Sequence, residues 1–262
     1  MITFPPAKIN IGLRVTGKRP DGYHDLQTLF VKIPLYDALE IIPSEQEMQW
    51  DGTAQIPEDN LVIKAYRAVQ RYFPSLPAIT VFLRKRIPMG SGLGGGSSDA
   101  TATIKMLNSL FELGMDDRTM HTLASSIGAD CPFFLKDSPH IGEGIGEILE
   151  PFPLDLTGYY LTLVFPGLHI STREAYAGVI IAQPDEDLRV SLRRPISEWK
   201  AWIHNDFEKS LFSTYPVLAE IKETLYEAGA LFASLSGSGS AMYGISRTPL
   251  DIHNEKTKTI RL

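Results

Sequence analysis

The chain has 262 residues, 44% of them hydrophobic and 21% charged, with a formal net charge of −6. This describes a globular protein with room for one large domain or two small ones, and two is the working expectation. The acidic balance argues against a non-specific nucleic-acid binder, which needs a basic face, and a single cysteine, Cys131, leaves no internal disulfide.

The start, MITFPPAKIN, carries neither a basic nor an apolar leader pattern, and no apolar run approaches ~20 residues. A cytoplasmic protein without membrane attachment is expected. Ile9, Ile11, Leu13 and Val15 alternate at the strand period, and Arg19, Pro20, Asp21 and Gly22 then supply turn chemistry. A second extended run covers 28–42, with a break expected near Pro34. Asp59 or Asn60 can cap a helix whose apolar stripe is Leu61, Ala65, Ala68, Val69 and Tyr72. Residues 78–86, AITVFLRKR, read as a half-buried strand running straight into PMGSGLGGGSS. The following helix places Ala100, Ile104, Leu107 and Phe111 on one side. A third helix, capped by Asp116 or Asp117 and striped by Met120, Leu123, Ala124 and Ile127, stops at Gly128.

IGEGIGE, 141–147, reads as a tight turn between strands, and the prolines at 151 and 153 suggest a division into domains 1–150 and 151–262. The second half then offers a strand at 159–165, a helix near 172–182, a polar surface loop over 183–195, a helix at 216–228, and two strands flanking the SGSGS turn.

The loop at 88–98 packs five glycines and three serines between a strand and an amphipathic helix, which is more than a flexible connection requires. Gly90, Gly92 and Gly95 match G-x-G-x-x-G, but the acid at the expected distance, Asp116, opens a helix instead of ending a second strand, so a dinucleotide fold does not fit. Ser97, Ser98 and Asp99 follow Gly96 where a Walker A loop needs lysine and a hydroxyl residue. What remains is an anion cradle of backbone N–H groups at a helix N-terminus, with Ser97 and Ser98 able to add hydroxyls to a phosphate or its Mg2+. Asp99 is expected to face away from the anion.

These loops resemble the superfamily of galactokinase, homoserine kinase, mevalonate kinase and phosphomevalonate kinase. The three motifs are PAKINIGLRVTGKRPDGYHDLQTLF at 6–30, PMGSGLGGGSSDA at 88–100 and LSGSGSAMYGI at 235–245. GADCPFF at 128–134, FPGLHISTREAY at 165–176 and NDFE at 205–208 also match. The narrower motifs DGYH and GADCPFF resemble the branch that phosphorylates a cytidylylated alcohol in the non-mevalonate isoprenoid pathway. The resemblance implies an α+β fold: an N-terminal domain like the second domain of ribosomal protein S5, a ferredoxin-like C-terminal domain, and a site between the two. After Gly244 only eighteen residues remain, so the usual helix and tail are expected to be cut short or replaced.

Phosphoryl transfer from ATP with Mg2+ to an alcohol needs a nucleotide clamp, charge stabilisation and an acceptor for the hydroxyl proton. The resemblance gives the acceptor role to Asp130, followed by the apolar Cys131, Pro132, Phe133 and Phe134, and makes Lys8 its partner. Alone, Asp130 reads as a solvated turn residue and Lys8 as a solvent-facing strand lysine. ATP is assigned to Pro88, Met89, Gly90, Ser91, Gly92, Leu93, Gly94, Gly95, Gly96, Ser97 and Ser98, with Asn60 and Asn108 near the adenine. The alcohol is assigned to Asn10, on the face of the strand that carries Lys8, to Tyr23 and His24, which would read the cytosine, and to Thr172.

The six histidines form no close pair, so no protein metal cluster is expected, and Cys131 has no evident base to make it a nucleophile. The expected partner is a small molecule, with neither nucleic acid nor membrane involved and the oligomeric state left open. The alternatives are a homoserine or phosphomevalonate type of kinase, or a nucleotide-binding regulator without phosphotransfer. DGYH argues against the former, because those substrates have no base. Lys8 together with Asp130 argues against the latter.

Overall fold

The computed structural model describes residues 1–45, 49–50, 60–181, 186–252 and 256–262. The first half runs β1 (Ile2–Thr3), β2 (Pro6–Lys18), β3 (His24–Tyr36), β4 (Ala38–Pro43), β5 (Gln49–Trp50), α1 (Leu61–Tyr72), β6 (Ile79–Arg84), α2 (Gly95–Leu110) and α3 (Asp117–Ile127). A 3-10 turn over Cys131–Leu135 follows. The second half runs β7 (His140–Glu143), β8 (Ile148–Pro151), β9 (Tyr160–Val164), α4 (Thr172–Ala177), α5 (Leu188–Leu192), α6 (Trp199–Trp202), α7 (Phe207–Thr214), α8 (Pro216–Glu227), β10 (Phe232–Leu235), β11 (Met242–Ser246) and β12 (Thr257–Arg261).

The chain forms two compact units, each assembled from separated stretches. The first holds residues 1–7, 35–89 and 94–137. Its sheet has the order β1-β4-β6-β5, antiparallel except for the β5/β6 pair. Leu39, Ile41, Val81 and Leu83 of that sheet share a core with Val62, Ala65 and Val69 of α1, Ile104 and Leu107 of α2, and Ala124 of α3. The strand alternation and the 3.6-residue helical stripes thus converge on one apolar layer. Asn60 Oδ1 accepts from the Val62 amide at 2.8 Å to cap α1, and Asp116 Oδ1 accepts from Thr119 at 2.8 Å to cap α3. Asp59, the alternative cap for α1, lies outside the described residues. Helix α2 differs: its N-cap is Gly94, at φ +68°, with no side-chain cap.

The second unit holds residues 8–34, 90–93 and 138–262 and contains two sheets, β2-β3-β7-β8 and β10-β11-β9-β12. Leu13 and Val15 of β2 join Phe207, Leu211, Leu218 and Leu225 of α7 and α8 over Leu235 and Met242.

Three expectations about elements need correction. Strand β3 continues through Pro34 and breaks at Asp37 instead. β7 pairs with β3 only over Thr28–Phe30, so the missing proline N–H costs no ladder bond on that side. The helix expected near 172–182 closes at Gly178, and residue 182 is outside the described residues. In the expected loop over 183–195, of which 183–185 are outside the described residues, Asp187 caps α5 by accepting from Arg189 at 2.7 Å. Near the end of the chain, β12 pairs antiparallel with β9, Thr257 opposite Val164 through Arg261 opposite Tyr160.

Candidate active site

In the second unit, β2 carries Lys8 inward, and only 3% of the residue is exposed. Burying an ammonium is expensive unless it is paired, and Lys8 Nζ donates to Asn10 Oδ1 at 2.5 Å. Asn10 Nδ2 donates in turn to Thr28 Oγ1 at 3.0 Å, and the ammonium lies 5.4 Å from the centroid of the Phe30 ring. The shared strand face expected of Lys8 and Asn10 is therefore present.

The glycine turns meet this group closely. The Lys8 amide donates to the Leu93 carbonyl at 2.9 Å, the Ala241 amide to Ser91 O at 3.0 Å, and Ser236 Oγ to Gly92 O at 3.1 Å. A Cβ on Gly92, at φ +77°, would stand 2.0 Å from the Ser236 carbonyl oxygen, so no other residue fits there. One on Gly237 would stand 3.5 Å from Lys8 Nζ and 3.3 Å from Asn10 Oδ1. The 90–93 stretch and the SGSGS turn are thus packed backbone to backbone beside a buried cation. NDFE holds the second of them: Asn205 Nδ2 donates to the carbonyls of Leu235 and Gly237 at 3.0 and 2.8 Å. Glu208 accepts from Ser234 Oγ and the Leu235 amide, both at 2.9 Å, and Lys222 balances its charge at 2.6 Å.

In the first unit, the uncapped first turn of α2 stands beside the GAD turn. Thr101 Oγ1 donates to Ser97 O at 2.9 Å and to Cys131 O at 2.8 Å, tying the residue after Asp130 to that turn of the helix. Asp130 is half-buried and forms the N-cap of the 3-10 turn, whose Cys131, Pro132, Phe133 and Phe134 are all buried. Burial pushes the Cys131 thiol up to about 11, so it stays protonated and is no nucleophile at neutral pH. Ser98 is 2% exposed, and among the described residues its Oγ has no hydrogen-bond partner. Asp99 is equally buried and pairs with Lys85 at 2.6 Å.

Tyr23 and His24 follow the turn in which Asp21 Oδ1 accepts from the Tyr23 amide at 3.0 Å. Tyr23 is 59% exposed. His24 stacks on Tyr176, ring centroids 4.7 Å apart and planes inclined by 22°, and Tyr176 stands edge-on to Phe207 at 4.8 Å. Sequence reasoning missed Tyr176, although it lies one helical turn from Thr172 on α4 and so shares its face. Thr172 itself is exposed. Asn108 bridges the α2–α3 connection, its Oδ1 accepting from the Met115 amide at 2.9 Å and its Nδ2 donating to Met115 O at 3.2 Å. Asn60 is the α1 cap already described. Pro88 and Met89, at the entrance to the glycine stretch, are exposed.

Two family models match the chain: the GHMP kinases N terminal domain over residues 60–137 and the GHMP kinases C terminal region over 188–257. Fold and glycine loops together define a GHMP kinase, α+β in class. A 4-diphosphocytidyl-2-C-methyl-D-erythritol kinase from Bacteroides fragilis is 49% identical over 252 residues, covering 94% of this chain and 92% of its own. One of the same name from Cytophaga hutchinsonii is 41% identical, covering 100% of this chain and 98% of its own. A crystal structure of 4-(cytidine 5'-diphospho)-2C-methyl-D-erythritol kinase superposes with a TM-score of 0.81 at 32% identity, covering 95% of this chain and 91% of that one. The chain belongs to the 4-diphosphocytidyl-2-C-methyl-D-erythritol kinase family and is an ATP-dependent kinase. Among the described residues, no helix is long and apolar enough to cross a membrane.

Proposed function

We propose that this chain transfers the γ-phosphoryl group of ATP to the 2-hydroxyl of 4-diphosphocytidyl-2-C-methyl-D-erythritol. The observation that carries the reading is the buried Lys8 ammonium, held on Asn10 and flanked by two glycine turns whose backbones approach too closely for side chains. A cation desolvated in this way stabilises charge on a transferring phosphoryl group far better than one in water.

The backbone of 90–97 and the first turn of α2 cradle the phosphates. Mg2+ carried on the nucleotide would neutralise phosphate charge. The ion would take its ligands from phosphate and water, with the Ser98 hydroxyl, unpartnered among the described residues, suited to face either. Asp130 accepts the proton of the 2-hydroxyl as the O–P bond forms, and Lys8 offsets the developing charge. His24, seated on Tyr176, reads the edge of cytosine, and Thr172 and Asn10 orient the rest of the alcohol. Relatives at 41–49% identity carry the name of the cytidylyl-alcohol kinase, which favours it over a homoserine or phosphomevalonate type.

The test is an ADP-coupled assay of the purified chain with cytidylylated methylerythritol, homoserine and phosphomevalonate. Turnover with the first alone is expected. Turnover with either of the others instead would leave the superfamily fold intact and overturn the substrate.

A further inference from the structure

A glycine loop without a P-loop lysine leaves one electrostatic problem, because an acid, Asp99, lies in the second turn of the very helix whose N-terminus would receive phosphate. The structure places a cation beside it. Lys85, the residue after β6, donates to Asp99 Oδ2 at 2.6 Å and also to Asp37 Oδ2. Asp37 is fully buried at the β3–β4 break, where its Oδ1 accepts from the backbone amides of Arg86 and Ile87, the latter at 2.9 Å. Two buried carboxylates thus clamp one ammonium at the end of the strand that leads into the glycine loop. They do not hide it: the Lys85 side chain is 24% exposed. Its Nζ lies 3.2 Å from the point a Cβ on Gly95 would occupy, against the first residue of α2.

We propose that Lys85 is the cation serving this glycine loop, its ammonium facing the nucleotide phosphates at the first turn of α2, with Asp37 and Asp99 as its positioning residues. The inference rests on the reading of 90–97 as the phosphate cradle. The arrangement has a physical rationale. A lysine on a flexible stem loses rotamer entropy on binding an anion, and two fixed carboxylates remove that loss in advance. The same pairing keeps the charge of Asp99 from opposing the anion.

The test is binding of ATP, ADP and adenosine to the wild type, Lys85→Met and Asp99→Asn, with amide hydrogen exchange of 90–97 followed with and without ATP. Lys85→Met should weaken ATP and ADP about tenfold or more, the size of one lost charge-assisted contact, and leave adenosine unchanged. Asp99→Asn, which removes one of the two positioning carboxylates but keeps the ammonium, should weaken ATP and ADP less than Lys85→Met does and leave adenosine unchanged, whereas a purely structural network would weaken all three. Should Lys85→Met fail to fold with two carboxylates unbalanced, the double variant Lys85→Met/Asp99→Asn removes a charge of each sign and should show the same split. Equal weakening of adenosine and ATP, or unchanged ATP affinity, overturns the role of Lys85. Absence of ATP protection at 90–97 in the wild type would instead overturn the cradle itself.

Discussion

The imidazole of His24 lies nearly parallel to the ring of Tyr176, centroids 4.7 Å apart, joining the DGYH turn to helix α4. The pair, with Phe207 edge-on to Tyr176, offers a flat aromatic surface suited to the base of the proposed substrate. His24→Ala should therefore raise the Michaelis constant for the cytidylyl alcohol about two- to tenfold, one neutral hydrogen bond, and spare that for ATP. Uracil exchanges the amino donor of cytosine for an acceptor, so discrimination against a uridylyl analogue should shrink in the same variant. Steady-state kinetics with both analogues checks this; an unchanged ratio assigns cytosine recognition to other residues.

Asp130→Asn keeps the shape of the GAD turn and removes the proposed proton acceptor. Turnover should fall by about 10²–10⁴ while nucleotide affinity survives, since Thr101 still ties the turn to α2 through the Cys131 carbonyl. Single-turnover rates and ATP titration separate the two effects. Near-normal turnover would reduce Asp130 to a shape-forming residue.

Substitution at Gly92 and at Gly95 should differ in mechanism. A methyl group on Gly92 collides with the Ser236 carbonyl, so Gly92→Ala should lower stability by about 1–3 kcal/mol or more through strain alone, measured by urea unfolding. A Cβ on Gly95 points at Ile87 and Lys85, 2.9 and 3.2 Å away. Gly95→Val should thus weaken ATP by shifting the strand end and its lysine, with a smaller effect on the alcohol. Equal losses for both substrates would contradict it.

Much of this was legible in the sequence because local chemistry decided it. The strand into 88–98, the stripe of α2, the Asn60 and Asp116 caps and the shared face of Lys8 and Asn10 all depend on neighbours within one turn or two residues. What escaped depends on distant partners. Tyr176 gains meaning only from His24 and Phe207. Glu208 and Asn205 are polar residues of a short motif until they are seen holding the 234–237 backbone. The break at Asp37 was masked by Pro34, which composition marks as a breaker, whereas Asp37 turns the chain by accepting the amides of Arg86 and Ile87, about fifty residues away. In 183–195 the charges suggested solvent, but Leu188 and Leu192 are buried once Asp187 caps a short helix.

Burial, with Asp37 close by, outweighs the pull of Lys85 and pushes the Asp99 carboxyl from its ordinary 3.8 up to about 7. A carboxyl raised in the folded state favours folding in its neutral form. Its contribution is fully present below about pH 3.8 and is lost as the pH rises through about 7. Urea unfolding of the wild type and of Asp99→Asn at pH 5 and pH 8 should show the wild type losing more stability over that interval than the variant. Parallel losses would mean that Asp99 does not titrate there.

Phosphorus NMR of one reaction mixture identifies the acceptor atom. With ATP, Mg2+ and the cytidylylated alcohol, one new phosphomonoester resonance on the 2-hydroxyl should appear in step with ADP while the diphosphate bridge of the substrate stays intact. ADP formed without that resonance, or a phosphomonoester at another hydroxyl, would contradict the 2-hydroxyl assignment.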